Sequence, residues 1–390
     1  MKNLNFSKII LGTAALFATV ACNSDEENPN LRLKMEYSAV STSKGYSEQF
    51  VDVDGNTTVH KEEGTLGLEM FKALNYYITN SVSSGVQIDA SLASSIASNS
   101  GTGFLELTGS DFNLSALTNA DFSLMDRVAS SRSSAETEAA KTNLELLFAR
   151  LEEASKSLNV TAEINQAGKL GNYLLDEQGI ELAQVLQKSL IGAFQLDYIG
   201  NVLLTSGLSA DNNSLVSAEN YTALEHNWDI AYGMLTQKEI YLEGYTDSQK
   251  GEVTEFGLGA YLWEYNKAGY PLIYPAFLKG RVAIINNDFA EVEKQAKIIR
   301  EEMEKALANA ALGYLGKWRT GTSDDKRAHA IAEGIGFIYS LRYATTFNAD
   351  AAFSDLILLN LVGSANGFWD LDASKISEAE SAIKAKFNIQ

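Results

Sequence analysis

Cysteine occurs once in this chain of 390 residues, histidine three times and proline three times. A single cysteine excludes an intramolecular disulfide and a thiol-metal cluster. So little proline, with long stretches rich in Ala, Leu, Glu and Lys, argues for helices over a β-sandwich. Positive charge is also short: 31 Lys and Arg against 50 Asp and Glu leave a formal charge of −19. Phosphate backbones need a basic footprint, so nucleic acid is excluded as a partner, while cations or basic proteins suit the surface. The common enzyme signatures are missing too. There is no His-Glu-x-x-His, no Gly-x-Ser-x-Gly and no phosphate loop, and Gly257-Leu-Gly259 lacks a third glycine. With three histidines and one cysteine, few nucleophile-and-base pairs can be built. The balance leans away from an enzyme.

What is present begins with an address. Lys2 and Lys8 precede the apolar run Ile9–Val20, which is too short for an ordinary membrane-spanning helix. The run closes in Thr19-Val20-Ala21-Cys22, which resembles the lipobox of bacterial lipoproteins, and Asn23-Ser-Asp-Glu-Glu-Asn-Pro-Asn follows. That acidic stretch resembles the surface-export signal of Bacteroidota lipoproteins. The expected plan is a signal peptide over 1–21, then an acylated Cys22 and polar tether over 22–45. A single helical domain follows over 46–390, with two lobes parting near 160–175 as the alternative. The implied location is the outer membrane, lipid-anchored and facing the cell surface. The lipid is then the contact with the membrane.

Phe50–Val59 contains Asp54-Gly55 and reads as a hairpin. Asp52, Asp54, Asn56 and Glu63 also match positions 1, 3, 5 and 12 of a calcium loop, but Thr57 stands where that loop needs glycine. His60 reads as exposed loop. Helical periodicity follows from Leu66 to Ile78 and again after the cap-like Ser133-Ser-Ala-Glu136. Asn172–Leu175 is extended. Glu181 to about Leu204 is apolar on nearly every face, which predicts a helix buried on several sides. Further helices are expected over 217–234, 253–267, 275–286, 289–315, 324–345, 354–361 and 374–387. The fold class is therefore all-α, an irregular multi-helix bundle with a short extended or hairpin segment near its N-terminus.

Concentrated chemistry lies on two of these helices. Tyr221-Thr-Ala-Leu-Glu225-His226-Asn-Trp228-Asp229 puts acids and an imidazole within one turn, and His329-Ala-Ile-Ala-Glu333 does the same. Glu181, Lys188 and Arg281 are further charges interrupting apolar helices, and charged residues are seldom buried unless paired. Three readings compete. One is a structural network fixing which helices are neighbours. Another is a metal or ligand site, with Glu225, His226, Asp229, His329 and Glu333 as donors for iron, zinc or manganese. The third is catalysis with His226 or His329 as base. The di-iron bundles use Glu-x-x-His, an order not found here. Trp228, Tyr232, Trp263, Tyr265, Tyr339 and Tyr343 read as core aromatics.

These segments carry a resemblance. Glu181 through Lys188-Ser-Leu-Ile-Gly-Ala193, the Glu225-His226-x-Trp228-Asp229 helix, Gly280-Arg281, the His329-x-x-x-Glu333-Gly helix and Asn366-Gly-Phe-Trp-Asp370 stand in order. In this the chain resembles a family of Bacteroidota lipoproteins whose domain has no known function. Ile230 stands where that family has an acid, and Ser189 where it has Gly. The family is loosely similar to the imelysins, surface proteins linked to iron uptake with a Gly-x-His-x-x-Glu pattern. Here Asp229 takes the place of that Glu and Leu224 that of the Gly. The resemblance implies an envelope protein that binds a metal ion or small ligand in iron acquisition. The alternatives are an imelysin-like metal-dependent hydrolase, or an accessory protein of an outer-membrane receptor with a purely structural polar core.

Overall fold

A computed structural model describes residues 31–107, 109–241 and 255–390. The expected leader 1–21, Cys22 and residues 23–30 of the expected tether lie outside the described residues. The described chain is all-α, with thirteen α-helices, short 3-10 turns and one two-stranded sheet. None of its helices is long and apolar enough to cross a membrane.

The spine is α10, Phe289–Thr320, started by Asp288 accepting from the Glu291 N–H and finished with Lys317 and Arg319 in its last turn. On its flanks lie α9 (Tyr270–Ile285) and α11 (Asp324–Ser340), and α6 (Leu182–Leu190) packs on α11. On the other side α7 (Ala223–Leu235) joins α9 to α1 (Glu62–Ser84). The crossing of α1 with α7 is so close that a Cβ on Gly64 would stand 2.2 Å from the Ile230 carbonyl, and one on Gly233 2.3 Å from that of Lys61. Only glycine admits this approach.

The helix expected from Glu181 to Leu204 is continuous but changes type. After α6, residues Ile191–Leu203 form a π-helix, whose end shows in the Leu204 N–H donating to the Ile199 carbonyl at 2.9 Å. This rare wide winding runs through the centre of the bundle, against α7, α10 and α11. Burial on all sides explains its apolar composition. Phe194, fully buried, contributes about 1.5–3 kcal/mol by leaving water. Its polar groups are satisfied: Asp197 accepts from Asn201 Nδ2 at 2.9 Å and from the Ser131 N–H at 2.9 Å.

The remaining helices form the outer parts. These are α2 (Ala90–Ala97), α3 (Leu114–Thr118), α4 (Leu124–Arg127), α5 (Ser134–Ser155), α8 (Leu258–Tyr265), α12 (Ala351–Val362) and α13 (Ala373–Phe387). The Ser133/Glu136 capping box opens α5 as the sequence predicts. One hydrophobic core runs from Tyr46 to Phe387, with a small satellite of Ala154, Leu158 and Leu174.

Two expectations hold in shortened form and one is corrected. The hairpin over 50–59 is present in its shortest form, one antiparallel bridge from Val51 to Thr57, flanked by the Asp52 N–H donating to the Asn56 carbonyl and the Thr58 N–H to the Phe50 carbonyl, both at 2.8 Å. Asp52 Oδ1 also accepts from the Asp54 and Asn56 N–H groups, which closes the turn between the two arms. The extended stretch expected over 172–175 is β2 (Tyr173–Leu175), antiparallel to β1 (Gly168–Leu170). Residues 31–45, expected as tether, lie on the body: Met35 exchanges two hydrogen bonds with the Asn286 side chain, at 2.8 and 2.7 Å. The reason is that Asn286 ends α9 with its amide side chain matching an extended backbone.

Candidate functional site

The expected constellation is split into two clusters. The first is built on the start of α7. Thr222 Oγ1 accepts from the Glu225 N–H and Glu225 Oε2 from the Thr222 N–H, so Glu225 is fixed by a capping box. Arg281 reaches it from α9: Nη1 donates to Glu225 Oε1 at 2.6 Å, Nε to Asp229 Oδ1 at 3.1 Å, and Nη2 to Thr58 O and Oγ1 at 3.2 Å. Arg32 adds a second guanidinium on Glu225, at 2.5 Å to each carboxylate oxygen. Tyr46 donates to Asp229 Oδ1 at 2.8 Å and stacks on Tyr232 with centroids 4.1 Å apart. Two guanidinium groups thus serve two carboxylates, with Arg281 and Asp229 fully buried and Arg32 reaching in from the surface.

Burial would raise the Glu225 carboxyl, but Arg281 and Arg32 outweigh it and hold it at about 2. Asp229 has less help. Burial pushes it up to about 6 against the pull of Arg281 and Tyr46. Burial also opposes charge on Arg281, yet Asp229 and Glu225 more than compensate and its pKa is raised.

His226 is not part of this cluster. It points away from Arg281 and lies beside Tyr221, ring centroids 4.6 Å apart, with His60 4.3 Å from Tyr221. Burial lowers its pKa, only partly opposed by Glu63. His60, expected as exposed loop, is half-buried and bonds Asn220 Oδ1 at 3.0 Å. A calcium loop is also ruled out as a grouping, since Glu63 is paired with Arg127 and Asp52 closes its own turn.

The second cluster joins α6 and α11. His329 Nδ1 lies 2.6 Å from Glu181 Oε2, and its Nε2 lies 3.5 Å from Glu333 Oε2. Glu333 Oε1 in turn meets Lys188 Nζ at 3.2 Å, and that ammonium lies 5.3 Å over the Tyr261 ring. Tyr173 of β2 stacks flat on the imidazole at 4.3 Å. Burial disfavours the charged imidazole, but Glu181 and Glu333 outweigh it and the His329 pKa is raised. Burial likewise opposes charge on Lys188, and Tyr261 with Glu333 overcomes it. Here it is the titrating imidazole itself that meets solvent. His329 and Glu333 line an open cavity of about 370 Å³ together with Tyr173, Lys317, Lys326 and the Thr320–Thr322 turn. A larger depression of about 810 Å³, between 204–213 and α10, contains no imidazole and touches neither cluster.

Of the five expected metal donors, Glu225 and Asp229 stand together, His329 and Glu333 stand together, and His226 is alone. The single shared metal site is therefore corrected. Among the described residues no group of three or more His, Cys, Asp or Glu is placed to hold a metal ion. In the first cluster the cation beside the carboxylates is a guanidinium. In the second, Glu181 and Glu333 occupy opposite nitrogens of one ring, so an ion on either nitrogen meets one carboxylate. The supporting residues expected from sequence are divided likewise: Arg281 belongs to the first cluster, Glu181 and Lys188 to the second. Nothing in the sequence points to Arg32, Tyr46, Thr58 or Tyr173, which lie far along the chain from what they meet: 193 positions for Arg32 and Glu225, 183 for Tyr46 and Asp229, 223 for Thr58 and Arg281. Trp228 and Tyr232 are core as expected, and the Trp228 Nε1 donates to the Phe277 carbonyl at 3.0 Å.

The family described as Domain of unknown function (DUF4856) matches residues 47–390. No curated protein and no solved structure matches the chain.

Proposed function

From the premise that this chain belongs to the DUF4856 family, a domain of unknown function that brings no activity with it, we propose that it is a lipid-anchored envelope protein that binds a small acid-bearing ligand or its metal chelate in the cleft beside His329. The observation that carries this reading is the contrast between the clusters. The Arg281 cluster is saturated and its carboxylates are buried, whereas His329 presents a partly exposed imidazole to a polar cavity that Lys317 and Lys326 also line. Convergent polar groups with a perturbed titration in an open cleft are the usual marks of a binding site. Lysines suit a carboxylate or phosphate of the ligand, while Glu333 and His329 suit its hydroxyl or amine groups.

The lipobox-like Thr19–Cys22 and the acidic run after it support an anchor in the outer membrane with the body at the cell surface, as in Bacteroidota lipoproteins. A role in iron acquisition, handing a chelate to an outer-membrane receptor, fits that address. An imelysin-like hydrolase fits less well, because His226 is turned away from Glu225 and Asp229, and Arg281 fills the place of a metal ion. The purely accessory reading has one observation in its favour, the fully satisfied Arg281 network.

Citrate, ferric citrate and zinc chloride are the probes of choice, added in turn while the ring signals of the three histidines are followed by NMR. The proposal expects His329 to shift with citrate or its ferric complex, His226 to stay still, and Glu333→Gln to change the affinity. If none of the probes moves His329, the cleft is not a binding site and the accessory reading stands.

A further inference from the structure

Three stretches far apart in sequence meet at the pole where the described chain begins. Arg32 Nη2 donates to the Asn220 carbonyl at 2.5 Å, and Asn220 Nδ2 donates to Asp52 Oδ2 at 3.2 Å and to the Thr57 carbonyl at 2.9 Å. These bonds brace 31–35, 50–54 and 215–220 against one another. On this brace stand large apolar side chains facing water. Leu33 is 85% exposed and Val53 89%, with Leu31, Val51 and Leu215 at 41–48%. All five border one depression of about 470 Å³. Scattered exposed apolar residues are ordinary, but a group of them on one rigid surface marks an interaction site.

The position of this surface in the chain decides its occupant. Leu31 follows Cys22 by nine residues, and nine extended residues span at most ~30 Å. A lipid on Cys22 therefore confines this pole to the neighbourhood of the bilayer. The charges around the patch are mixed and balanced, Arg32 and Lys34 against Asp52 and Asp54, with Arg32 held by Glu225 and Asp52 by Asn220 and Asn56. Such a rim favours zwitterionic headgroups over strongly anionic ones.

We propose that the face formed by Leu31, Leu33, Val51, Val53 and Leu215 docks on the zwitterionic surface of the bilayer that holds the Cys22 lipid, with Leu33 and Val53 entering the headgroup layer. The inference rests on the lipid-anchor reading given above. Docking fixes the orientation of the body, which an acyl chain on a polar segment alone does not do.

The test uses the full lipidated chain in phosphatidylcholine vesicles, with Val53→Cys or Leu33→Cys carrying an environment-sensitive fluorophore. Acylation blocks the Cys22 sulfur, so the label goes to the new position alone. Leu359→Cys on α12, 65% exposed in the wild type and outside this depression, serves as the control. The expected result is blue-shifted emission and quenching by nitroxide lipids at 53 and 33, with neither at 359. Equal water exposure at all three positions would overturn the docking face while leaving the anchor intact. An intact mass lacking the acyl group overturns the anchor, and docking with it. A blue shift before vesicles are added, rising with protein concentration, would assign the face to a second copy of the chain and reject the bilayer.

Discussion

Arg281 of α9 and Glu225 of α7 meet at 2.6 Å with the guanidinium fully buried and the carboxylate 1% exposed. The bond ties two helices together, and Asp229 and Thr58 fill the remaining donors of the same side chain. Removing one member of such a pair leaves the other charge stranded in low dielectric. Arg281→Met is expected to cost about 3–5 kcal/mol of unfolding free energy, read from urea denaturation. Arg281→Lys should recover little, because a single ammonium cannot span Glu225, Asp229 and Thr58 as the planar fork does. A loss near 0.5 kcal/mol, the size of an ordinary surface change, would mean the network is not integral to the fold.

Asp229 and Glu225 make opposite demands on pH. The folded state raises Asp229 to about 6 from an ordinary value near 3.8, so it binds a proton there that the unfolded chain has released. Its contribution to stability therefore falls as pH rises from about 4 to about 6. Glu225, held at about 2 against an ordinary 4.5, contributes stability above 4.5 that is lost as pH falls toward 2. Denaturation midpoints measured from pH 3 to 7 should show both limbs, and Asp229→Asn should make the fall between 4 and 6 shallower, with the rest coming from Glu304, which burial raises from 4.5 to about 7. An unchanged profile in that variant would place the titration elsewhere.

How far the chain was legible follows from the range of the interactions. Helix caps such as Ser133/Glu136 and Thr222/Glu225 are local and can be read three residues apart. The acid–imidazole pair His329/Glu333 is local in the same way. Which helix faces which is not local. Glu225 and His226 are adjacent in sequence, yet the helix turns one toward Arg281 and the other toward Tyr221. Nothing in the spacing of the two motifs says whether α7 and α11 share a site. The π-helix over Ile191–Leu203 was hidden for another reason: a segment apolar on nearly every face shows no periodicity from which its winding can be read.

Gly64 and Gly233 offer a test of helix approach that needs no charge. A Cβ at either position would meet backbone carbonyl oxygen, at 2.2 and 2.3 Å respectively, and backbone cannot swing aside as a side chain can. Gly64→Ala and Gly233→Ala should each cost about 1–3 kcal/mol through forced separation of α1 and α7, despite the better helix propensity of alanine. Gly316→Ala makes the control, because nothing lies within 4 Å of its added Cβ. That variant should be neutral or stabilising. If all three behave alike in thermal denaturation, close packing of α1 on α7 is not what the glycines serve.

His329 and His226 should titrate on opposite sides of the ordinary imidazole value of 6.5. Burial works against charge on both rings, but only His329 has carboxylates at each nitrogen, Glu181 at 2.6 Å and Glu333 at 3.5 Å. With its folded pKa raised, the His329 contribution to stability is fully present below 6.5 and lost as pH rises through the folded value. With its folded pKa lowered, His226 favours the folded chain above 6.5, and that advantage is lost as pH falls. Ring-carbon chemical shifts followed against pH should therefore give a midpoint above 6.5 for His329 and below it for His226. Glu181→Gln replaces the carboxylate by a neutral acceptor of similar shape. It should bring the His329 midpoint down and leave that of His226 where it was. A His329 midpoint unmoved by Glu181→Gln would mean that the Glu181 carboxylate does not set the charge of the ring that faces the cleft.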